Sequence, residues 1–94
     1  MRLSWTERAL VDVANIDRWL SQQSDPSIAM GQLERVRLRA RRLREFPTLG
    51  RQLGSETRSV PVQKTPYILV YRVQGDLIEI LRVHHNRQDW QPPK

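Results

Sequence analysis

The feature that most constrains the fold is a pair of β-rich runs near the C-terminus, separated by a short polar break. Tyr67–Val73 and Leu77–His84 are rich in aromatic and β-branched residues, and Gln74-Gly75-Asp76 lies between them. A glycine in so short a break is typical of a hairpin, because glycine adopts the backbone conformation that tight turns require. The two runs therefore predict an antiparallel pair of strands, preceded by a weaker strand over residues 58–62.

Side chains alternate along a strand, so a two-residue turn also predicts which residues share each face of the hairpin. We expect the more apolar face to receive the helices, with Arg72 and Glu79 pairing at its rim. That face also carries Ile68, Val70, Leu81 and Val83, while the opposite face carries Tyr67, Leu69, Tyr71, Ile78, Ile80, Arg82 and His84. A three-residue turn would reverse the assignment.

Two amphipathic helices are predicted before the strands, over residues 6–23 and 27–46. Apolar residues recur at helical spacing in both: Ala9, Val13, Ile16 and Leu20, then Ala29, Leu33, Val36, Ala40 and Leu43. Thr6 is a suitable N-cap for the first helix, and Pro26 and Pro47 limit the helices because proline cannot continue the hydrogen-bond ladder. With a short strand over residues 1–5, the pattern predicts an α+β fold in which an antiparallel two-helix hairpin packs on a C-terminal antiparallel sheet.

The length of 94 residues predicts one domain over 1–94, with a tail over residues 85–94. The chain contains no cysteine, which excludes disulfide bonds and thiolate metal sites. No apolar run is long enough to cross a membrane and the N-terminus does not resemble a secretory signal, so we expect a cytoplasmic protein. The net charge of +6 favours a nucleic acid or an acidic protein surface as partner, although a coding bias toward arginine would give the same charge.

The most unusual segment is the second helix, whose latter half is crowded with arginines. Arg35, Arg39 and Arg42 lie on one flank of its apolar stripe, and Arg37, Arg41 and Arg44 lie on the other. Guanidinium groups bind carboxylates or phosphates in bidentate fashion, which suits an acidic protein segment or a nucleic acid backbone. The alternative is a solvated face whose arginine stems cover apolar surface.

A second cationic segment runs from the last strand into the tail and contains Arg82, His84, His85, Arg87 and Trp90. These residues could bind a phosphate or transfer a proton, and each histidine could equally have a structural role. We expect no metal, because adjacent histidines on a strand point to opposite faces and no carboxylate cluster completes a site. No pattern in the chain indicates a cofactor.

These elements, and the residues within them, resemble the ParE/RelE toxin superfamily from one end of the chain to the other. The similar stretches are Leu3-Ser4-Trp5-Thr6-x-x-Ala9, Asp12 and Ile16, Leu43-x-x-x-Pro47-x-x-Gly50-Arg51, Arg58, Tyr67-Ile68-Leu69-Val70-Tyr71-Arg72-Val73, and Ile80-Leu81-Arg82-Val83-His84-x-x-Arg87-x-Asp89-Trp90. Each stretch is a weak motif alone, and their order across nearly the whole chain makes the resemblance. It is closer to ParE than to RelE.

The resemblance implies a toxin of a type II toxin–antitoxin pair, in hetero-oligomeric complex with a cognate, ParD-like antitoxin that wraps its surface. It implies one of two activities. ParE-like members inhibit DNA gyrase by binding it, whereas RelE-like members cut messenger RNA on the ribosome. Departures from the ribonuclease pattern favour gyrase: Ile68 follows Tyr67 where many ribonucleases have an arginine, and the late aromatic Trp90 cannot exchange a proton.

We predict the target-binding surface on the strands and tail, at Arg58, Arg72, Arg82, His84, Arg87 and Trp90. If the protein is instead a metal-independent ribonuclease, its acid–base and phosphate-binding residues would be Arg58, Arg82, His84, His85 and Arg87. We predict that the antitoxin covers the helix pair and an exposed sheet edge, contacting Trp19, Arg35, Arg37, Arg39, Arg41, Arg42 and Arg44. A plain nucleic-acid-binding module, with the arginine-rich helix as a phosphate clamp, is the remaining alternative.

Overall fold

A computed structural model describes residues 1–23 and 25–86 of the chain. In chain order they form strand β1 (Arg2–Trp5), helices α1 (Glu7–Gln23) and α2 (Pro26–Arg42), and strands β2 (Arg51–Gln52), β3 (Thr57–Pro61), β4 (Tyr67–Gln74) and β5 (Leu77–His85). The strands form a five-stranded sheet in the order β1-β5-β4-β3-β2. Neighbours are antiparallel except β1, which runs parallel to β5. The predicted α+β fold is confirmed, and the short strand β2 is an addition to it.

Both helices begin at a side-chain cap. The backbone N–H of Ala9 donates to Thr6 Oγ1 at 3.1 Å, so Thr6 is the N-cap that the sequence predicts for α1. Asp25 caps α2 in the same way, because its carboxylate accepts from the N–H of Ser27 at 2.8 Å. This backbone hydrogen bond lowers the pKa of the Asp25 carboxyl. The cap lets α2 begin at Pro26, a residue type that suits the first helical position because its missing N–H would have no helical partner there.

Helix α2 ends at Arg42, earlier than the predicted end at residue 46. Residues 43–45 continue as tight turns, in which Leu43 N–H donates to Ala40 O at 3.1 Å and Arg44 N–H to Arg41 O at 3.1 Å. Pro47 is the physical reason, because it disfavours the helical conformation of the residue before it. The predicted helix was therefore too long by its last turn.

The β4–β5 hairpin turns at Gly75-Asp76, one of the two-residue turns that the sequence predicts. Gln74 pairs with Leu77 across the turn, and Gly75 has a φ of 57°, which glycine adopts without strain. Arg72 lies opposite Glu79, and its Nε donates to Glu79 Oε1 at 2.7 Å. The predicted ion pair at the rim of the sheet is confirmed.

The helix-facing side of the sheet is not the predicted one. Its centre is formed by Leu69, Tyr71, Ile78 and Ile80, each 0% exposed and packed with apolar residues of both helices. Ile68, Val70 and Leu81, which the alternation assigns to that side, lie outside this core, so the prediction is wrong for them. It is correct for Val83, which is 3% exposed and belongs to the core.

A β-bulge explains the error. The register of β4 and β5 shifts between Val70 and Tyr71, so that Val70 pairs with Arg82 and Leu81 is the extra residue. Beyond the bulge, Arg82 and His84 share the register of the face opposite Tyr71. Without the bulge, strict alternation would place Arg82 and His84 on the same face as Tyr71. That face would then combine cationic and apolar side chains. The pattern therefore favours the wrong face for the helices.

The helices cover this face with the predicted stripes. All five stripe residues of α2 and the turn after it are at most 5% exposed: Ala29, Leu33, Val36, Ala40 and Leu43. In α1, Ala9 and Leu20 are buried, while Val13 and Ile16 pack against the core from a partly buried position. Neither helix of the described residues is long and apolar enough to cross a membrane.

The segment between α2 and β2, residues 43–50, is fastened to the sheet by a tyrosine; we call it the corner. The buried hydroxyl of Tyr71 donates to Pro47 O at 2.8 Å and accepts from Gly50 N–H at 2.8 Å. Arg58 Nη1 donates to Gly50 O at 2.8 Å. Burial raises the pKa of the Tyr71 hydroxyl, which therefore keeps its proton for Pro47. These bonds hold the backbone of residue 50 so close to the sheet that only glycine fits there.

Gly50→Ala is expected to destabilise the protein. A Cβ at this position would lie 2.7 Å from Ser59 O and from the Tyr71 hydroxyl, so the corner would have to move away from the sheet. We expect a loss of about 1–3 kcal/mol in the free energy of unfolding, measured by urea titration. Gly54→Ala is the matched control, because a Cβ there meets nothing within 4 Å. Equal urea midpoints for the two variants would contradict this account of the corner.

Candidate functional site

The predicted target-binding residues within the described part of the chain lie on β3, β4 and β5, where three arginines already have partners. Arg58 donates to Gly50 O in the corner, and Arg72 pairs with Glu79. Arg82 donates to the carboxylate of Asp12 in α1. Arg87 and Trp90 lie outside the described residues. The target-binding role of this set remains a prediction.

Arg82 and Val83 are held by Asp12 of α1, an arrangement that we call the Asp12 clamp. Arg82 Nε and Nη2 donate to the two carboxylate oxygens of Asp12 at 2.8 and 3.1 Å. The backbone N–H of Val83 donates to Asp12 Oδ2 at 2.9 Å. The side chain of Asp12 is only 13% exposed and that of Arg82 is 33% exposed. The hydrogen bonds to Asp12 raise the pKa of Arg82, so the guanidinium stays charged.

Beyond the end of β1, Thr6 and Asp12 take over the hydrogen bonds to the edge of β5. Strand β1 pairs with β5 only as far as Ile80, and Thr6 then takes over. Thr6 N–H donates to Ile80 O at 3.0 Å and its hydroxyl donates to Leu81 O at 3.0 Å. Asp12 next accepts from Val83 N–H. The edge of β5 between residues 80 and 83 is therefore occupied by Thr6 and Asp12 of the same chain.

Sequence reasoning did not assign this role to Asp12, although a signal was present. Asp12 lies three residues after Ala9 and four before Ile16, which places a carboxylate on the apolar, sheet-facing side of α1. A carboxylate is rarely buried unless it is paired. The residue that pairs with it is 70 positions away in the sequence, beyond the reach of any local pattern.

A groove of about 460 Å³ opens beside the clamp, between α1 and the end of the β4–β5 hairpin. Asn15, Ile16 and Trp19 line it from α1, and Tyr67 and His85 line it from the strands. Trp19 is 53% exposed. The rings of Tyr67 and His85 meet edge to face, with their centroids 5.8 Å apart. The groove is thus mainly aromatic and apolar.

The two histidines of β5 lie on opposite faces of the sheet. His84 pairs with Ile68 and His85 pairs with Tyr67, and neighbouring positions on a strand point in opposite directions. Over residues 1–23 and 25–86, no three side chains of the metal-binding types come together as a potential metal site. The histidines are therefore not brought together as one catalytic pair in this fold.

The arginines of α2 occupy two flanks, as predicted, and each flank borders a different groove. Arg37 and Arg41 line a groove of about 250 Å³ between the helix pair and β1; we call it the β1 groove. Its floor is apolar and consists of Leu3, Trp5, Leu10, Val13, Leu33 and Val36. Arg44 lies on the same flank, where its Nε donates to Met1 O at 3.0 Å. Arg37 and Arg41 share one carboxylate, Glu34, at 3.9 and 3.4 Å.

The other flank of α2 faces β3 and the corner. Arg39 Nε donates to Pro61 O at 3.1 Å, which ties the helix to the end of β3. Arg42 lies 4.9 Å from the centre of the Phe46 ring, a cation–π contact, and 3.6 Å from Glu45. Arg35 lines the same side of the helix and is exposed.

Comparison with known proteins places this architecture among bacterial toxins. A family profile described as the ParE toxin of the type II toxin-antitoxin system, parDE, matches residues 3–90. A Sinorhizobium fredii protein that carries the toxin name Y4kP is 34% identical over 90 residues, covering 95% of this chain and 92% of that protein. The protein named Toxin RelE3 of Caulobacter vibrioides is 32% identical over 81 residues, covering 84% and 87% of the two chains.

A solved structure shows the same fold. It is described as the chromosomal ParDE TA system from P. aeruginosa, and it superposes with a TM-score of 0.81 at 24% sequence identity. The match covers 90% of this chain and 95% of that chain. The resemblance drawn from the sequence is confirmed.

Removing the Asp12 carboxylate is expected to loosen α1 from the sheet. Asp12→Ala leaves a partly buried guanidinium and the N–H of Val83 without their acceptor, at a cost of about 1–3 kcal/mol in the free energy of unfolding. Urea titration followed by circular dichroism measures this loss. Asp17→Ala is the control, since Asp17 is exposed on the same helix and makes no hydrogen bond or ion pair with the described residues. If both variants unfolded at the same urea concentration, the clamp would not be a stabilising contact.

Proposed function

The chain belongs to the ParE toxin family of type II toxin–antitoxin systems, and on this premise we propose that it inhibits DNA gyrase by binding it. We further propose that a cognate antitoxin neutralises it by covering part of its surface. Both steps are protein–protein binding and require no catalytic group in the chain. Gyrase acts on DNA in the cytoplasm, so the proposal also assigns the protein to that compartment.

The proposal is carried by one observation: two arginines of the strands already bind groups within the fold. A ribonuclease needs cations at the phosphate, a base for the attacking hydroxyl and an acid for the leaving oxygen. Arg82 and Arg58 hold Asp12 and Gly50 O, so a phosphate would have to displace contacts that hold the fold. Burial raises the pKa of Tyr67 and Tyr71, so both hydroxyls keep their protons and neither is available as a general base. These features support action by binding.

Ribosome-dependent cleavage of messenger RNA is the second candidate. It is favoured by the likeness to the protein named Toxin RelE3 and by the two histidines at the end of β5. In that case the ribosome with its bound message would be the target, and His84 or His85 would take part in proton transfer. The function then depends on a partner that completes the site.

Two assays on the purified protein distinguish these functions. We expect it to block supercoiling of relaxed plasmid by gyrase or to trap cleaved DNA, and to leave message intact in a translating extract. Excess cognate antitoxin should restore supercoiling, and reactions without toxin are the reference. Message cut only during translation, with supercoiling unaffected, would replace gyrase inhibition by the second candidate.

The β1 groove is the surface that we propose for the antitoxin. Its floor is apolar, and Leu10 within that floor is 55% exposed. Arg37 and Arg41 line it with a single carboxylate between them, so the groove presents excess positive charge. An amphipathic acidic segment would bury the apolar floor and pair with both arginines. Trp19, which the sequence also assigns to the antitoxin, lines the separate groove beside the Asp12 clamp and is not part of the β1 groove.

Charge reversal on one flank of α2 tests this surface. Arg37→Glu places a carboxylate in the β1 groove, and we expect the affinity for the cognate antitoxin to fall by roughly tenfold or more at low salt. Isothermal titration calorimetry at two salt concentrations measures the change and its screening. Arg35→Glu is the matched control, because it alters the net charge equally on the opposite flank of the same helix. Equal losses in both variants would exclude the β1 groove as the specific site.

A further inference from the structure

The corner and the neighbouring flank of α2 carry apolar side chains that neither the Asp12 clamp nor the β1 groove uses. Leu38 is 52% exposed, Phe46 48% and Leu49 44%. Four arginines border them, namely Arg35, Arg39, Arg42 and Arg51. We call these seven residues the corner patch. Contiguous exposed apolar surface with a charged border is characteristic of a binding site.

The corner patch is held in place by the core. Tyr71 bonds to both Pro47 O and Gly50 N–H, and Arg58 bonds to Gly50 O, so the backbone that carries Phe46 and Leu49 is fixed at one end. Within the corner, Leu49 N–H donates to Phe46 O at 3.0 Å. A fixed surface loses little conformational entropy when a partner binds. The exposed side chains are therefore presented for binding in a defined geometry.

The positive charge of the corner patch is largely uncompensated. Within residues 1–23 and 25–86, Arg35, Arg39 and Arg51 have no carboxylate within ion-pair distance, whereas Arg72 and Arg82 on the sheet each have one. Glu45 approaches Arg42 alone, at 3.6 Å. A partner surface that supplied carboxylates would therefore gain charge pairing here without breaking an internal ion pair.

Two grooves of the corner patch share Arg39 in their lining. One, of about 420 Å³, lies between Leu49, Arg51 and the end of β3 at Pro61. The other, of about 230 Å³, lies between Leu38 and Arg42. Arg39 lines both grooves and is positioned by its bond to Pro61 O. A partner could thus place apolar side chains on either side of one fixed guanidinium.

We propose that the corner patch is the surface by which the toxin docks on its target protein, and that the target offers an acidic face with apolar side chains at its centre. The proposal rests on the function proposed above, in which the toxin acts by binding a protein. An apolar centre within an arginine border has the composition of a protein–protein interface. A nucleic acid backbone would use the arginines and leave Leu38, Phe46 and Leu49 exposed.

The two partners then use opposite flanks of one helix. Arg37 and Arg41 line the β1 groove, and Arg35, Arg39 and Arg42 belong to the corner patch. Because the two surfaces lie on opposite flanks of α2, a substitution on one flank leaves the other chemically unchanged. Antitoxin binding and target binding can therefore be tested separately. The predicted set on the strands and tail then contributes to stability through Arg58 and Arg82 more than to docking.

The test is a double variant, Leu49→Ser with Arg51→Glu, both at exposed positions whose side chains make no hydrogen bond with the described residues. The matched control is Ile28→Ser with Arg18→Glu. It makes similar chemical changes at exposed positions that lie outside the β1 groove, the groove beside the Asp12 clamp and the corner patch. Each protein is tested for growth arrest on induction, for gyrase inhibition, for message cleavage in a translating extract and for binding of the cognate antitoxin. Thermal unfolding shows that each variant is folded, and the single variant Arg35→Glu tests the same patch independently.

We expect the corner variant to lose growth arrest and to need at least roughly tenfold more protein to inhibit gyrase, while antitoxin binding stays unchanged. The control should match the wild type in every assay. Undiminished growth arrest by the folded corner variants would overturn the proposal, whatever the target. Growth arrest that is lost in the corner variants, without gyrase inhibition by the wild type, would uphold the corner patch and reject gyrase. Loss of message cleavage alone would show an RNA-directed surface and overturn the protein target.

Discussion

The hydrogen bonds from Arg82 and Val83 to Asp12 are the constraint on which the arrangement of helices and sheet depends. Strand β1 reaches only as far as Ile80 along β5, and beyond it the sheet edge would be left without partners. Thr6 and Asp12 supply those partners from the start of α1, which fixes the helix in position along β5. Helix α2 then packs beside α1, and its small residues can approach the sheet closely. The carboxylate of Asp12 thereby fixes α1 against β5, next to which α2 packs.

The positive charge of the chain has two different uses, which the net charge of +6 cannot separate. Three arginines of β3, β4 and β5 point to partners within the fold: Arg58 to the corner, Arg72 to Glu79 and Arg82 to Asp12. Arginines on α2 remain exposed or half-exposed along two grooves. The strands consequently contribute stability, and the helix contributes most of the charge that a partner meets.

Local features of the fold were predictable, and distant ones were not. The Gly75-Asp76 turn, the Thr6 cap and the apolar stripes follow from residues within one or two turns of each other. The face that receives the helices was misassigned, because no local sequence pattern predicts the bulge at Leu81. Strand β2 is too short for any pattern. The Asp12 clamp joins residues 70 positions apart, so the strand arginines looked available for a target.

The parallel pairing of β1 with β5 has a consequence for how the protein is made. Arg2 pairs with Leu77, so β1 cannot take its place in the sheet until β5, which follows it in the chain, has been synthesised. Contacts so distant in sequence slow folding, because the intervening chain must be ordered before they form. The sheet of the toxin is therefore incomplete until β5 has been synthesised. Every contact that needs the complete sheet forms late in folding.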